Sequence, residues 1–340
     1  MPELFFGQTK PPPQNPCCAS MRKLILPLFI LFLLFGCEAP ADNVNQASLA
    51  SRSGTTEMSP GHFSGVLPEY WYQGKAELNT YELEQIRYGE VHPGQATLIF
   101  VSEDFLTDKQ VKNDNYTNPN SAPIIKTNMF RRFTTGLYDY SIMSSVFTPT
   151  ATDKQPHTLK VTTSLQDWCG QTFTQLNYDE DKVWKQQLRS YFERENDQNN
   201  NLNADFLEDE IFNRIRMGWE GLPTGTFSVI PGTAYLLMTH KPYRAAEAKL
   251  SIKDYSGSEY TSDAPLKAYV IEYPSQERTV EIVFDAESPY VIRGWEENYS
   301  SRGKRLTTRA ILTHQVMEAY WNLNGREDAP RRASLGLPLQ

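Results

Sequence analysis

The chain has 340 residues, with 33 Lys and Arg against 41 Asp and Glu and a net charge of −8. No basic stripe stands out, so neither a nucleic-acid footprint nor a polybasic membrane patch is supported. Aromatic residues make up 12% of the chain, with 18 Tyr, 17 Phe and 6 Trp, and Gly and Pro recur at short intervals, a composition suited to antiparallel strands and their turns.

The first legible stretch is MRKLILPLFILFLLFGCEAP, residues 21–40. Its apolar run from Leu24 to Gly36 has about thirteen residues, roughly 20 Å as a helix, against a hydrocarbon layer near 30 Å. Arg22 and Lys23 precede the run and the small Gly36 precedes Cys37, which is the layout of a secretory signal. The alternative is a short buried or membrane-anchoring helix. Leu34-Phe35-Gly36-Cys37 resembles the lipobox of bacterial lipoproteins, although Phe35 departs from the small or β-branched residue usual there. The resemblance implies acylation of Cys37, which becomes the first residue of the mature chain. Residues 1–20, with Pro11-Pro12-Pro13 and Cys17-Cys18, sit awkwardly before such a signal, so translation is expected to begin at Met21; the rival is a cytosolic leader with acylated cysteines. Residues 1–36 are thus read as a dubious leader plus a signal peptide.

Residues 37–66 are poor in large apolar side chains and rich in Ala, Ser, Asn and Gly, which predicts a flexible tether with a root-mean-square span of roughly 30 Å. Within it, Ser48 to Gly54 faintly resembles the signature of Maf nucleotide pyrophosphatases, known as septum-formation inhibitors. It lacks the Pro and the Arg pair of that signature, so the activity is not expected.

From residue 67 to 326 the pattern predicts one mainly all-β domain: a large antiparallel curved sheet, a half-barrel or barrel-like meander, with one short helix. The turn signal His92-Pro93-Gly94 is expected to close a first hairpin between the segment at Tyr70 and the apolar QATLIFVSEDF. Two further strands flank Thr134-Thr135-Gly136. KVWKQQLRSYFE has helical spacing at Trp184, Leu188, Tyr191 and Phe192 but follows a turn-like Asp179-Glu180-Asp181, and is read as a strand. The short helix is expected in FLEDEIFNRIRMG, where Phe206, Leu207, Ile211 and Ile215 form a stripe and Gly218 supplies the stop. LKAYVIEY, TVEIVF, YVIRGWEENY and RLTTRAIL then repeat at meander spacing. So many antiparallel strands must curl, close or split into a sandwich. Residues 327–340 are expected to be a disordered tail.

Candidate chemistry is sparse. His62, His92, His157, His240 and His314 show no paired spacing, and no zinc motif occurs. With Cys37 acylated, Cys169 is the other cysteine of the mature chain; it is expected to be a small buried residue in a strand, and a nucleophile only if a histidine lies beside it. Nucleophile-elbow, phosphate-loop and dinucleotide signatures are missing. Asp197, Asn199, Asn201, Asp205 and Glu208 fall at calcium-loop positions one, three, five, nine and twelve, but Leu202 stands where Gly allows the sharp turn. No cofactor is implied.

The lipobox, the tether and the segments ELEQIRYGEVHPGQATLIFVSEDF, DWCGQTF, GTFSVIPGTAYLL and EIVFDAESPYVIRGWEE together resemble a family of uncharacterised Bacteroidota lipoproteins, some labelled septum formation inhibitor without Maf motifs. The resemblance offers no catalytic residue to carry over and implies a non-enzymatic envelope lipoprotein, a structural or binding module on an outer or inner membrane with an envelope protein or lipid as partner. Glu38 follows Cys37 without the Lys and acidic cluster of the surface-export signal in that phylum, so the domain is expected to face the periplasm. The alternative is a periplasmic half-barrel carrier of an apolar ligand or acyl chain, with the helix plugging the sheet. An envelope hydrolase ranks third.

Overall fold

The computed structural model describes residues 66–338; Cys37, His62 and the Ser48 to Gly54 segment lie outside them. After a short turn of 3-10 helix at Glu69–Tyr72, the strands run β1 (Ala76–Arg87), β2 (Glu90–Leu106), β3 (Val111–Lys112), β4 (Ser121–Thr135), β5 (Tyr138–Pro149), β6 (Lys160–Gln166), β7 (Gln171–Tyr178), β8 (Trp184–Arg189), β9 (Gln198–Leu202) and β10 (Phe206–Leu207). Helix α1 (Ile211–Met217), β11 (Gly225–Ile230) and helix α2 (Thr233–Thr239) follow. The chain then completes β12 (Ala246–Asp254), β13 (Leu266–Tyr273), β14 (Arg278–Asp285), β15 (Ile292–Ser301) and β16 (Lys304–Glu318).

All these strands belong to a single 16-stranded sheet. From β1 it steps outward by antiparallel neighbours to β9, with β3 a short side branch on β2. From β11 it steps back to β16, which pairs with β1 and joins the two halves. The two ends of the sheet, β9 and β10, are neighbours in sequence, and β10 pairs with β11 in parallel. The sheet is therefore a nearly closed meander with one seam, at residues 203–205.

How tightly it rolls is visible in a single ion pair. Arg131 on β4 reaches Glu297 on β15 at 2.7 Å, although β16, β1 and β2 lie between those strands. In a flat sheet four strand spacings would separate them by about 19 Å. Both helices sit inside the roll: α1 buries all seven of its residues against β4, β5 and β15, and α2 buries six against β5 and β6.

Several expectations are corrected. The first hairpin turns at Tyr88 and Gly89, whose φ angles of 54° and 78° suit a two-residue turn. His92-Pro93-Gly94 lies inside β2 instead, paired with Gln85, Glu84 and Leu83 of β1. Pro93 is tolerated because pairing with β4 begins only at Gly94. Gly94 is required there: a Cβ would meet the carbonyl oxygen of Arg132 at 2.4 Å. The expected helix is shorter at its start, because Phe206 and Leu207 are drawn into the sheet by β11 and Glu208–Glu210 form a turn of 3-10 helix. A second helix, α2, was not expected; its apolar run reads equally well as a buried strand. KVWKQQLRSYFE is a strand only as far as Arg189. The predicted tail is ordered from Arg326 to Leu335 as 3-10 turns, with Leu335 packed on Ala76, Leu78 and Val101 of the outer sheet face.

Candidate functional site

The interior of the roll is charged. Glu77 on β1 is fully buried and receives hydrogen bonds from Arg216 of α1 at 2.6 Å, from Asn79 at 2.6 Å and from the Tyr70 hydroxyl. The Arg216 guanidinium lies between the Trp71 and Phe100 rings, 5.1 Å from each centroid. Asn213, also on α1, donates to the carbonyls of Ile125 and Val146 and to the Thr148 hydroxyl. Polar side chains thus fix the position of α1 against β1, β4 and β5.

A second cluster lies beside it. Arg278 on β14 donates to both oxygens of Glu208 and, at 3.3 Å, to Glu297, whose other oxygen holds Arg131. Tyr273 adds a bond to Glu208 at 2.7 Å. Burial alone would raise the Glu297 carboxyl, but Arg131 and Arg278 outweigh it and hold the group below its ordinary value. Asp209 is the opposite case: burial raises it to about 6, against the pull of bonds from the Thr233 amide and hydroxyl at the start of α2. Thr233 is in turn bonded to Thr163 on β6, which ties α2 to the sheet.

Glu208, Asp209 and Glu297 surround a cavity that also touches Arg131, Phe212 and Trp295, but its volume is about 40 Å³. That is room for ordered water and not for a substrate or an acyl chain, since ligand sites run to about 300–1,000 Å³. The carboxylates converge, yet Glu208 and Glu297 are engaged by arginines and Asp209 by Thr233. This cluster holds the fold.

The large concavity is outside, at the end of the roll where the chain enters β1. It is a groove of about 990 Å³ between the β2–β4 loop, the β5–β6 loop and the β7–β8 turn, lined by Asp108, Gln110, Asn120, Gln155, Tyr178 and Glu180 among others. A second depression of about 420 Å³ adjoins it across Pro156, His157, Tyr178 and Lys182, and reaches Asp205, Phe206 and Phe227 at the seam. The lining they share holds a ring cluster: His157 lies tilted 4.4 Å from Tyr178 and meets the buried Trp184 edge-on at 5.3 Å, and the Trp184 indole donates to the Thr158 carbonyl. Burial lowers the His157 imidazole below its usual range, against the raising effect of Glu210. The loops are pinned in place. The Gln110 side chain donates to the Tyr178 carbonyl and accepts from Asn177, and Lys160 donates to the Gln110 carbonyl at 3.1 Å.

The residues singled out by sequence are dispersed. Asn199 and Asn201 alternate along β9, and Asp205 accepts from the Ser228 amide. Glu208 points at Arg278, and Asp197 lies beside Arg189. The calcium-loop reading is thereby overturned: an extended strand cannot wrap these side chains around one ion. Among the described residues no group of three or more His, Cys, Asp or Glu is placed to hold a metal. Cys169 is exposed in the β6–β7 turn, its amide bonded to Asp167, and not buried in a strand as expected. His92 stacks near Phe133, His240 pairs with Glu195 at 2.7 Å, and His314 is exposed on β16. Sequence reasoning missed the groove residues, because each lies in a loop whose polarity alone explains it.

The fold defines the chain as a rolled, mainly antiparallel β protein with two internal helices. No family model matches it, and no curated protein does. Among solved structures it is similar to a β-barrel-like protein of a domain of unknown function from Brucella abortus, at 10% identity and a TM-score of 0.44, over 72% of this chain and 98% of that one. Among the described residues no helix is long and apolar enough to cross a membrane.

Proposed function

We propose that the chain is a non-enzymatic lipoprotein of the cell envelope, held to a membrane through acyl-Cys37, whose β domain is a binding module acting through its surface. One observation carries the choice of module over carrier. The interior is filled by two helices and buried ion pairs, leaving a cavity of about 40 Å³, whereas the open groove at the rim measures about 990 Å³. A carrier of an apolar chain needs an apolar interior of ligand size. Anchorage is supported by the lipobox-like Leu34-Phe35-Gly36-Cys37, which follows Arg22, Lys23 and an apolar run. Metabolic labelling with a fatty-acid probe tests it: label on the wild-type chain and its loss in Cys37→Ala is the expected result. Label retained in the variant, or absent from both, would overturn the lipoprotein assignment.

A further inference from the structure

The rim groove carries more information than its volume. Its two depressions share the Pro156, His157, Tyr178 and Lys182 wall, so together they form one long cleft from the β2–β4 loop to the seam. A long cleft suits a linear chain. Its walls offer hydrogen-bonding groups of several kinds: the amide of Gln155, the carboxylate of Glu180, and the Asn120 and Asp108 side chains, whose amide donates to the carboxylate at 3.2 Å and leaves further donor and acceptor positions on both. Half-buried aromatic rings interrupt them, Tyr178 with His157 at the centre and Phe227 against Phe206 at 5.2 Å near the seam. Carboxylates outnumber cations along the cleft, with Asp108, Asp179, Glu180, Asp181 and Asp205 against Lys154, Lys182 and Arg214. Lys185 is held by Asp179 and Asp181 and Arg214 by Glu210, and with both pairs counted the cleft still has a surplus of carboxylates.

These features select a ligand chemistry. A surplus of carboxylates repels phosphates, nucleic acids and anionic lipid headgroups. Planar amides and carboxylates match pairs of neighbouring hydroxyls, and ring faces suit molecules with one apolar side and many polar edges. The β2–β4 wall is anchored by Gln110 to β6 and β7, so little ordering is left for binding. We propose that the cleft binds a linear, uncharged oligosaccharide, its sugar rings stacking on Tyr178 and His157 while the loop amides and carboxylates hold the hydroxyls. This deepens the binding-module reading and rests on it. The cleft lies at the end where the chain enters β1.

The test is calorimetric titration of the full chain in detergent with chitohexaose and cellohexaose, beside a sulfated oligosaccharide and an oligolysine peptide. Saturable binding of a neutral hexasaccharide is expected, with no binding of the sulfated one. Tyr178→Ala should weaken it by about tenfold or more. Gln155→Trp, which fills the cleft from an exposed loop and leaves the Tyr178 and Trp184 packing intact, should weaken it as well. Trp168→Ala in the β6–β7 turn should leave it unchanged. Failure of both neutral hexasaccharides to bind, or binding indifferent to Gln155→Trp, overturns the oligosaccharide assignment. Oligolysine binding that Gln155→Trp abolishes, without saccharide binding, also overturns it while leaving the module reading standing. The fatty-acid label on Cys37 reports on membrane anchorage independently of any of these outcomes.

Discussion

Replacing either member of the Arg216–Glu77 pair should expose how the interior is stabilised, because the two charges can escape their loss in different ways. Both side chains are fully buried and 2.6 Å apart. Two guanidinium nitrogens of Arg216, Nε and Nη1, have no hydrogen-bond partner and lie between the Trp71 and Phe100 rings. In Glu77→Gln the guanidinium stays charged, since arginine does not release its proton. It is then a buried, unpaired cation that cannot titrate away its penalty, and the loss at neutral pH is about 3–5 kcal/mol. In Arg216→Met the stranded carboxyl can bind a proton. For an ordinary glutamic acid this costs about 4 kcal/mol at pH 7 and under about 1 kcal/mol at pH 4.5. The penalty should therefore be similar in the two variants at neutral pH and diverge in acid, where Arg216→Met recovers and Glu77→Gln does not. The double variant Glu77→Leu with Arg216→Met removes both charges. It loses the acceptor for Asn79 and Tyr70, about 1–3 kcal/mol, and should still be more stable than Glu77→Gln alone. Urea unfolding followed by tryptophan fluorescence, with each variant compared to wild type at both pH values, gives these differences. Equal losses at both pH values, together with a double variant as unstable as the sum of the singles, would refute the reasoning.

Asp209 should make the wild type pH-sensitive in the opposite sense to a salt-bridged carboxylate. Its folded value, about 6, lies above the ordinary 3.8, so between those values the native state binds more protons than the unfolded chain, and stability falls as pH rises from about 4 to 6. The contribution is at most about 3 kcal/mol; Asp209→Asn should remove that slope in urea midpoints measured across the window, and an unchanged slope would contradict it. Gly294→Ala should lose about 2 kcal/mol or more, because a Cβ there would sit 2.1 Å from the Ala310 carbonyl oxygen on the neighbouring strand and 2.2 Å from the Tyr260 ring. Gly136→Ala has open space around it and only a φ of 58° to strain it, so about 1 kcal/mol is expected in the same assay.

The sheet was legible because its pattern is local. Val280, Ile282 and Phe284 of TVEIVF share one face with short turns on either side, and the repeated spacing from Leu266 to Leu312 needs only period two and the turn residues to be read. The rolling was legible as a consequence, since so many antiparallel strands must curl, close or split; the position of the seam was not. What the sequence could not show depends on distant pairing. Arg131 and Glu297 read as exposed charges on half-polar strands, and only the β16–β1 junction brings them within 2.7 Å. Helix α2 was hidden for another reason. Its Ala234 to Met238 run is apolar on every side and carries no periodicity, because it is buried all round. The cleft combines three polar loops, each explained by solvent exposure until β2, β5 and β7 set them side by side.

The charged interior follows from the number of strands. Side chains alone fill a barrel of about eight strands, whereas about sixteen leave a lumen that water or a plug must occupy. This sheet lays 15 of its strands along one path and leaves a seam, so its lumen needs a plug. Both helices that supply it are only seven residues long. Apolar contacts alone would hold such short helices in many nearly equivalent positions, since hydrophobic attraction has no direction. Arg216 to Glu77, Asn213 to β4 and β5, and Asp209 to Thr233 each have one satisfied geometry, and a helix displaced by one residue would bury several polar groups without partners. The polar groups are thus committed to placing the plug, and the plug takes the volume that a carrier would use. At the surface, the loops at the entry end of the roll are tied down by Gln110 and Lys160 and keep an open cleft.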